Sequence, residues 1–125
     1  MTSSKYDNYF YFRAVADEDN DDDSAASVML PVNKLQGMGP SSTTVLTIYF
    51  ESERNEVISD TVALTVTAGK MKKVIHSIVS AMNRGPHSDG VTVIADDVTT
   101  DYDGSTRAGV YVDTDITACG AISVG

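Results

Sequence analysis

Thr43-Thr44-Val45-Leu46-Thr47-Ile48-Tyr49-Phe50 decides the fold class, because β-branched and aromatic residues crowd it as they do a pleated, half-buried strand. On its N-terminal side, Gly39-Pro40-Ser41-Ser42 reads as a tight connection that makes a hairpin with an irregular strand over residues 27–38. That strand carries Val28, Leu30, Val32 and Leu35, and Pro31 marks an edge position or a bulge, since proline cannot donate a ladder hydrogen bond. On the other side, Glu51 to Asn55 make a polar turn and residues 56–67 alternate. Val62, Leu64 and Val66 share one face and Thr61, Ala63, Thr65 and Thr67 the other, the pattern of a half-buried strand.

The period then changes. Met71, Val74, Ile75, Ile78, Val79 and Met82 recur at steps of three and four, which predicts a helix between about Ala68 and Arg84 with one apolar stripe. Gly85-Pro86 is its stop, and Lys72, Lys73, His76, Ser80 and Asn83 lie on the opposite face. A helix apolar on one side only is expected to lie on the sheet and close one opening of the core. Further strands are expected at 90–95, 108–113 and 116–124, with a polar loop at 96–106 and a turn at Asp113-Thr114-Asp115.

At the N-terminal end, Tyr9-Phe10-Tyr11-Phe12-Arg13-Ala14-Val15-Ala16 forms an opening strand that runs into Asp17-Glu18-Asp19-Asn20-Asp21-Asp22-Asp23. Alternation sets Phe10 and Phe12 on one face and Tyr9 and Tyr11 on the other, so the phenylalanines are assigned to the core and the tyrosines to a rim or interface. With six or seven strands and one helix, the chain reads as α+β, mainly β: a small antiparallel barrel or sandwich of about six strands with one amphipathic helix packed on it. Residues 1–125 make a single domain, with Phe10, Phe12, Leu46, Ile48, Leu64, Val66 and the helix stripe in its core.

The formal charge of −9 comes from 18 acidic and 9 basic side chains, and six of the acids lie between Asp17 and Asp23; outside that run 12 acids face 9 bases, a net −3. The acidity is therefore concentrated in one loop, which disfavours nucleic acid and anionic membrane as partners. No apolar run approaches the length of about 20 residues that a spanning helix needs, and the start of the chain lacks the pattern of a secretory leader. Cys119, the one cysteine, reads as a small buried strand residue.

The chemistry-bearing residues do not form a recognisable catalytic set. An EF-hand needs Gly at loop position 6 and Glu at position 12; counted from Asp17 those places hold Asp22 and Val28, and counted from Asp19 they hold Ser24 and Leu30. Asp17 to Asp23 is expected to be a solvated loop. Asp96, Asp97, Asp101 and Asp103 form a second acidic group, of which Asp101-Tyr102-Asp103-Gly104 is a turn. His76 and His87 have no metal-ligand spacing. No cofactor or metal is expected. Lys70, Lys72 and Lys73 cluster at the helix start, where the helix dipole disfavours positive charge, so they are candidates for an anionic partner, with solvation as the plainer reading. The candidate partner interface is Tyr9, Tyr11, Asp17, Asp19, Asp21, Lys70, Lys72 and Lys73, and between copies of the chain the lysines and the acidic loop are complementary.

Three segments carry a family likeness: residues 9–19, Ala81-Met82-Asn83-Arg84-Gly85-Pro86-His87-Ser88-Asp89-Gly90, and Cys119-Gly120-Ala121-Ile122-Ser123. With them the chain resembles small virion structural proteins, of the capsid-decoration kind, encoded by phages of marine cyanobacteria. That group has a more distant relative with an Sm-like small barrel that assembles as a ring. The resemblance implies a non-enzymatic virion protein made in the host cytoplasm and placed on the capsid exterior. Its implied partners are the major capsid protein or other virion proteins, and further copies of itself as a homo-oligomer. A tail or neck position, or an Sm-like ring that binds RNA or DNA through Lys70, Lys72, Lys73 and Arg84, are the alternatives. This chain departs from the Sm order in placing its helix between strands and not before the first.

Overall fold

A computed structural model describes residues 9–20, 22–52, 59–83 and 91–124. Among them, eight strands and one α-helix follow in chain order. These are β1 (Tyr9–Arg13), β2 (Ser27–Pro31), β3 (Leu35–Ser42), β4 (Val45–Glu51), β5 (Ser59–Val66), α1 (Met71–Asn83), β6 (Val91–Asp96), β7 (Val110–Tyr111) and β8 (Ile116–Ser123). Short 3-10 turns stand at Glu18–Asn20 and Val32–Lys34. The strands form two four-stranded sheets, ordered β2-β1-β6-β7 and β3-β4-β5-β8. The fold is α+β and mainly β, as the alternation predicts.

The segment that anchors the reading behaves as expected. Leu46, Ile48 and Phe50 of β4 are fully buried, and β5 lies antiparallel to it with Leu46 opposite Leu64 and Ile48 opposite Val62. Phe10 and Phe12 of β1 are buried while Tyr9 and Tyr11 on the other face are half-buried. Phe12 meets Phe10 and, across the sheets, Phe50 edge-on, with ring centroids 6.5 and 6.2 Å apart. Val74, Ile78 and Ala81 of α1, with Ile94 of β6 and Ile116, Cys119 and Ile122 of β8, complete one hydrophobic cluster shared by both sheets and the helix.

Five expectations are corrected. Residues 27–38 are not one strand: β2 ends at Pro31, the 3-10 turn redirects the chain, and β3 belongs to the other sheet. Proline suits that exit, with φ of −71° and no N–H to offer the ladder. Gly39 to Ser42 is not the connection but the end of β3, and the reversal comes at Thr43-Thr44, where the Thr44 N–H donates to Ser42 Oγ. Pro40 is accommodated because β3 is the outermost strand and its register with β4 shifts between Pro40 and Ser42. Among the described residues the strands number eight, where six or seven were expected.

The pairing is not wholly antiparallel either, since β1 runs parallel to β6, from Tyr9 beside Val91 to Arg13 beside Asp96, with a shift between Tyr11 and Phe12. Alternation fixes which side chains share a face and carries no information on strand direction. The helix spans Met71–Asn83, and a turn with Gly69 at φ 83° and the Lys70 N–H on the Thr67 carbonyl precedes it. The Gly85-Pro86 stop lies outside the described residues. Val79, counted in the apolar stripe, is 37% exposed, and Ala81 takes its place in the core.

The helix face is directly testable. Ile78→Ala is expected to cost about 2–5 kcal/mol in urea unfolding, the range for a large-to-small change in a packed core, and Val79→Ala about 0.5 kcal/mol or less.

Candidate functional site

Three aspartates at the ends of strands organise the polar side chains. Asp96, the last residue of β6, is buried, and Arg13, beside it on β1, grips it with two bonds: Nε donates to Oδ1 at 2.9 Å and Nη2 to Oδ2 at 2.7 Å. Arg107 adds Nη2 to Oδ2 at 3.2 Å, and the Val98 N–H donates to Oδ1 at 3.1 Å. Burial pushes this carboxyl up, but the Arg13, Val98 and Arg107 hydrogen bonds and the Arg13 charge outweigh it and hold it below the usual carboxylate value. Arg13 Nη1 also lies 3.8 Å from Glu18, and Arg107 Nε forms an ion pair with Asp101 at 3.0 Å.

Asp97, the next residue, turns towards the other sheet. Its Oδ1 accepts the Tyr111 hydroxyl at 2.6 Å and the Cys119 N–H at 2.8 Å, so one carboxylate oxygen ties β7 to β8. Burial, then the hydrogen bond to Asp97, pushes the Tyr111 hydroxyl up. Burial, then the charges of Asp97 and Asp96, pushes the Cys119 thiol up to about 12. At neutral pH Cys119 is therefore a thiol and not a thiolate nucleophile.

Asp113 does the same for the helix. Its Oδ1 accepts from Lys73 Nζ at 2.9 Å and from the Asp115 N–H at 2.8 Å, and its Oδ2 from the Ser77 hydroxyl at 2.5 Å. Lys73 Nζ also reaches Asp115 at 2.8 Å. Burial raises the Asp113 carboxyl, and the bonds from Ser77, the Asp115 N–H and Lys73 more than reverse it. Lys73 is held above its ordinary value by its hydrogen bonds to Asp115 and Asp113. This Lys–Asp–Ser cluster borders a cleft of about 320 Å³ lined by Lys73, His76, Ser77, Ser80 and Val112. Lys73 is thereby favoured in its charged form and Asp113 in its ionised form.

The acidic loop is exposed at Asp19, Asn20, Asp22 and Asp23, and hydrogen bonds anchor its Glu18 end. The Glu18 N–H donates to the Thr100 carbonyl and Glu18 Oε1 accepts the Tyr102 N–H, so Glu18 docks on the loop that carries Thr100 and Tyr102. Asp17 bridges to Thr100 and its carboxylate takes the Asp19 N–H, while the Asp23 carboxylate takes the N–H groups of Ala25 and Ala26. Asp101 to Gly104 form the expected turn, with the Gly104 N–H on the Asp101 carbonyl and Gly104 at φ 89°.

Of the interface candidates, Tyr9 and Tyr11 lie together on the outer face of the first sheet, where the Tyr11 hydroxyl meets Ser27 Oγ at 2.9 Å and the Arg13 guanidinium stands 5.8 Å from the Tyr11 ring centre. Asp19, Lys70 and Lys72 are exposed. Lys73 is exposed as well, and two carboxylates of its own chain pair with it. Asp21 lies outside the described residues, as do His87 and Arg84. No group of three or more His, Cys, Asp or Glu able to hold a metal occurs among the described residues, and no described helix is long and apolar enough to cross a membrane.

The roles of Arg13, Asp96, Asp97, Arg107 and Asp113 were not legible in the sequence. Arg13 and Asp96 stand 83 positions apart, and only the parallel pairing brings them together. Comparison of the chain with protein-family models, with curated proteins and with solved structures finds no match.

Asp96 and Asp113 titrate lower in the fold than in the unfolded chain. Their contribution to stability is thus complete above the unfolded carboxylate value of about 3.9 and is lost as pH falls through their folded values. Urea melts between pH 7 and pH 2 are expected to show stability declining below about pH 4, with a shallower decline in Asp113→Asn, which lacks one of the contributing groups.

Proposed function

We propose that this chain is a structural protein of a phage particle, a decoration or cement subunit that acts through protein–protein contacts with the major capsid protein or other virion proteins and with copies of itself. The observation that carries the non-catalytic part is the use made of the reactive groups. Asp96, Asp97 and Asp113 each accept two or more hydrogen bonds from their own chain, Lys73 lies between two carboxylates, and the Cys119 thiol is raised to about 12. Groups held this way cross-link a shell. They are not poised for proton transfer or attack.

The resemblance of residues 9–19, 81–90 and 119–123 to virion structural proteins of marine cyanobacterial phages supplies the particle. The exposed Met29, Tyr49 and Val110, with the half-buried Tyr9 and Tyr11, supply apolar surface for such contacts. A tail or neck position rests on the same features. The Sm-like reading, a ring binding RNA or DNA, is weakened because Lys73, one of three exposed lysines at the helix start, has its charge countered by Asp113 and Asp115.

Two measurements separate these readings. Purified protein is expected to co-sediment with expanded capsids and to be present in purified virions at high copy number; absence from virions removes the proposal. A titration with single-stranded RNA and DNA at low salt is expected to give no binding, whereas binding that weakens steeply with added salt would favour the ring.

A further inference from the structure

The self-association in that proposal leaves open which surface meets a second copy, and the free edge of the first sheet offers a specific answer. Of the four strands that end the two sheets, β3 is broken by two register shifts and by Pro40, and β7 has two residues. The outer strand β8 also has two register shifts, and its Cys119 N–H is taken by Asp97. Such bulges and prolines are the devices that keep sheet edges from pairing. By contrast, β2 runs opposite β1 for five residues with no shift, contains no charged side chain and has its one proline, Pro31, at its end.

The direction of its backbone groups follows from two hydrogen bonds. The Ala14 N–H donates to the Ala26 carbonyl, and the Arg13 carbonyl accepts the Asp97 N–H on the β6 side. Residues 10, 12 and 14 therefore turn their backbone groups to β2, and Val28 and Leu30 turn theirs to β1, so Ser27, Met29 and Pro31 face outward. The Ser27 N–H is already on the Asp23 carbonyl and Pro31 has none, which leaves Met29 with the single outward donor of the strand. No described residue bonds to its N–H or its carbonyl, and its side chain is 48% exposed beside Tyr11.

We propose that β2 pairs antiparallel with β2 of a second copy about a two-fold axis at Met29, joining two four-stranded sheets into one. The occupant is argued from self-complementarity. An edge whose only donor and a neighbouring acceptor belong to one central residue is matched by its own two-fold image, in which each Met29 N–H donates to the Met29 carbonyl of the other copy. The same register sets Ser27 against Pro31 and carries the Asp22-Asp23 end of each chain towards the Lys34 end of the other. Lys34 there is a surface cation, ion-paired with Glu51 at 3.4 Å. The outer face formed by Tyr9, Tyr11 and Met29 continues across the axis.

This inference rests on the reading of a self-associating structural subunit, and sedimentation equilibrium over a concentration series tests it. The wild type is expected to form dimers, more weakly at high salt. Met29→Pro removes the outward N–H without touching the β1 ladder, and Met29→Lys sets like charges across the axis. Each is expected to raise the dissociation constant about tenfold or more, with far-UV circular dichroism unchanged. Self-association that persists unaltered in both variants overturns the β2 pairing and leaves self-association through another surface. A wild type that stays monomeric throughout overturns the pairing, and binding to capsids then stands or falls by its own measurement.

Discussion

The grip of Arg13 on Asp96 is the constraint on which the rest of the structure depends. Both side chains are nearly buried, and a buried carboxylate or guanidinium without a partner is costly enough that removing one member of such a pair typically destabilises by about 3–5 kcal/mol. The pair forms where β1 and β6 lie side by side in parallel with Arg13 level with Asp96, and it favours that pairing, the one parallel strand pair among the described residues. From the same carboxylate, Arg107 and the Val98 N–H fix the loop after β6, and Arg13 reaches on to Glu18 in the acidic loop. Two acidic loops that would repel each other are thus held together around two guanidinium groups.

Asp97 and Asp113 extend that logic outward from the first sheet. Asp97 crosses to the Cys119 N–H of β8, and Asp113 fastens α1 through Lys73 and Ser77. Between these links lies a shared apolar cluster in which Phe12 and Phe50 meet across the sheets. Arg13, Asp96, Asp97, Asp113 and Lys73 are thus engaged within the chain, while Tyr9, Tyr11, Met29 and a strand edge are left for contact. That division fits the proposed role among other proteins.

Much of the fold was legible because period reports burial. Leu46, Ile48 and Phe50, Val62, Leu64 and Val66, and Phe10 and Phe12 alternate in the sequence and are buried in the structure, and the helix stripe is right except at Val79. Pairing partners were less legible. Val28, Leu30, Val32 and Leu35 look like one strand, since apolar recurrence continues through a 3-10 turn that moves the chain between sheets. The interface candidates divided similarly: exposure of Lys70, Lys72 and Asp19 follows from polarity alone, but the capture of Lys73 by Asp113 and Asp115 depends on contacts some 40 positions away. Arg13, at the end of an aromatic strand, gave no sign of its partner.

A double-mutant cycle between Arg13→Gln and Asp96→Asn, read by urea unfolding, tests the central claim most directly. If the pair organises the fold, each single change is strongly destabilising, the double change costs far less than their sum, and the coupling is at least about 1.5 kcal/mol. Effects that add to within about 0.5 kcal/mol would contradict it.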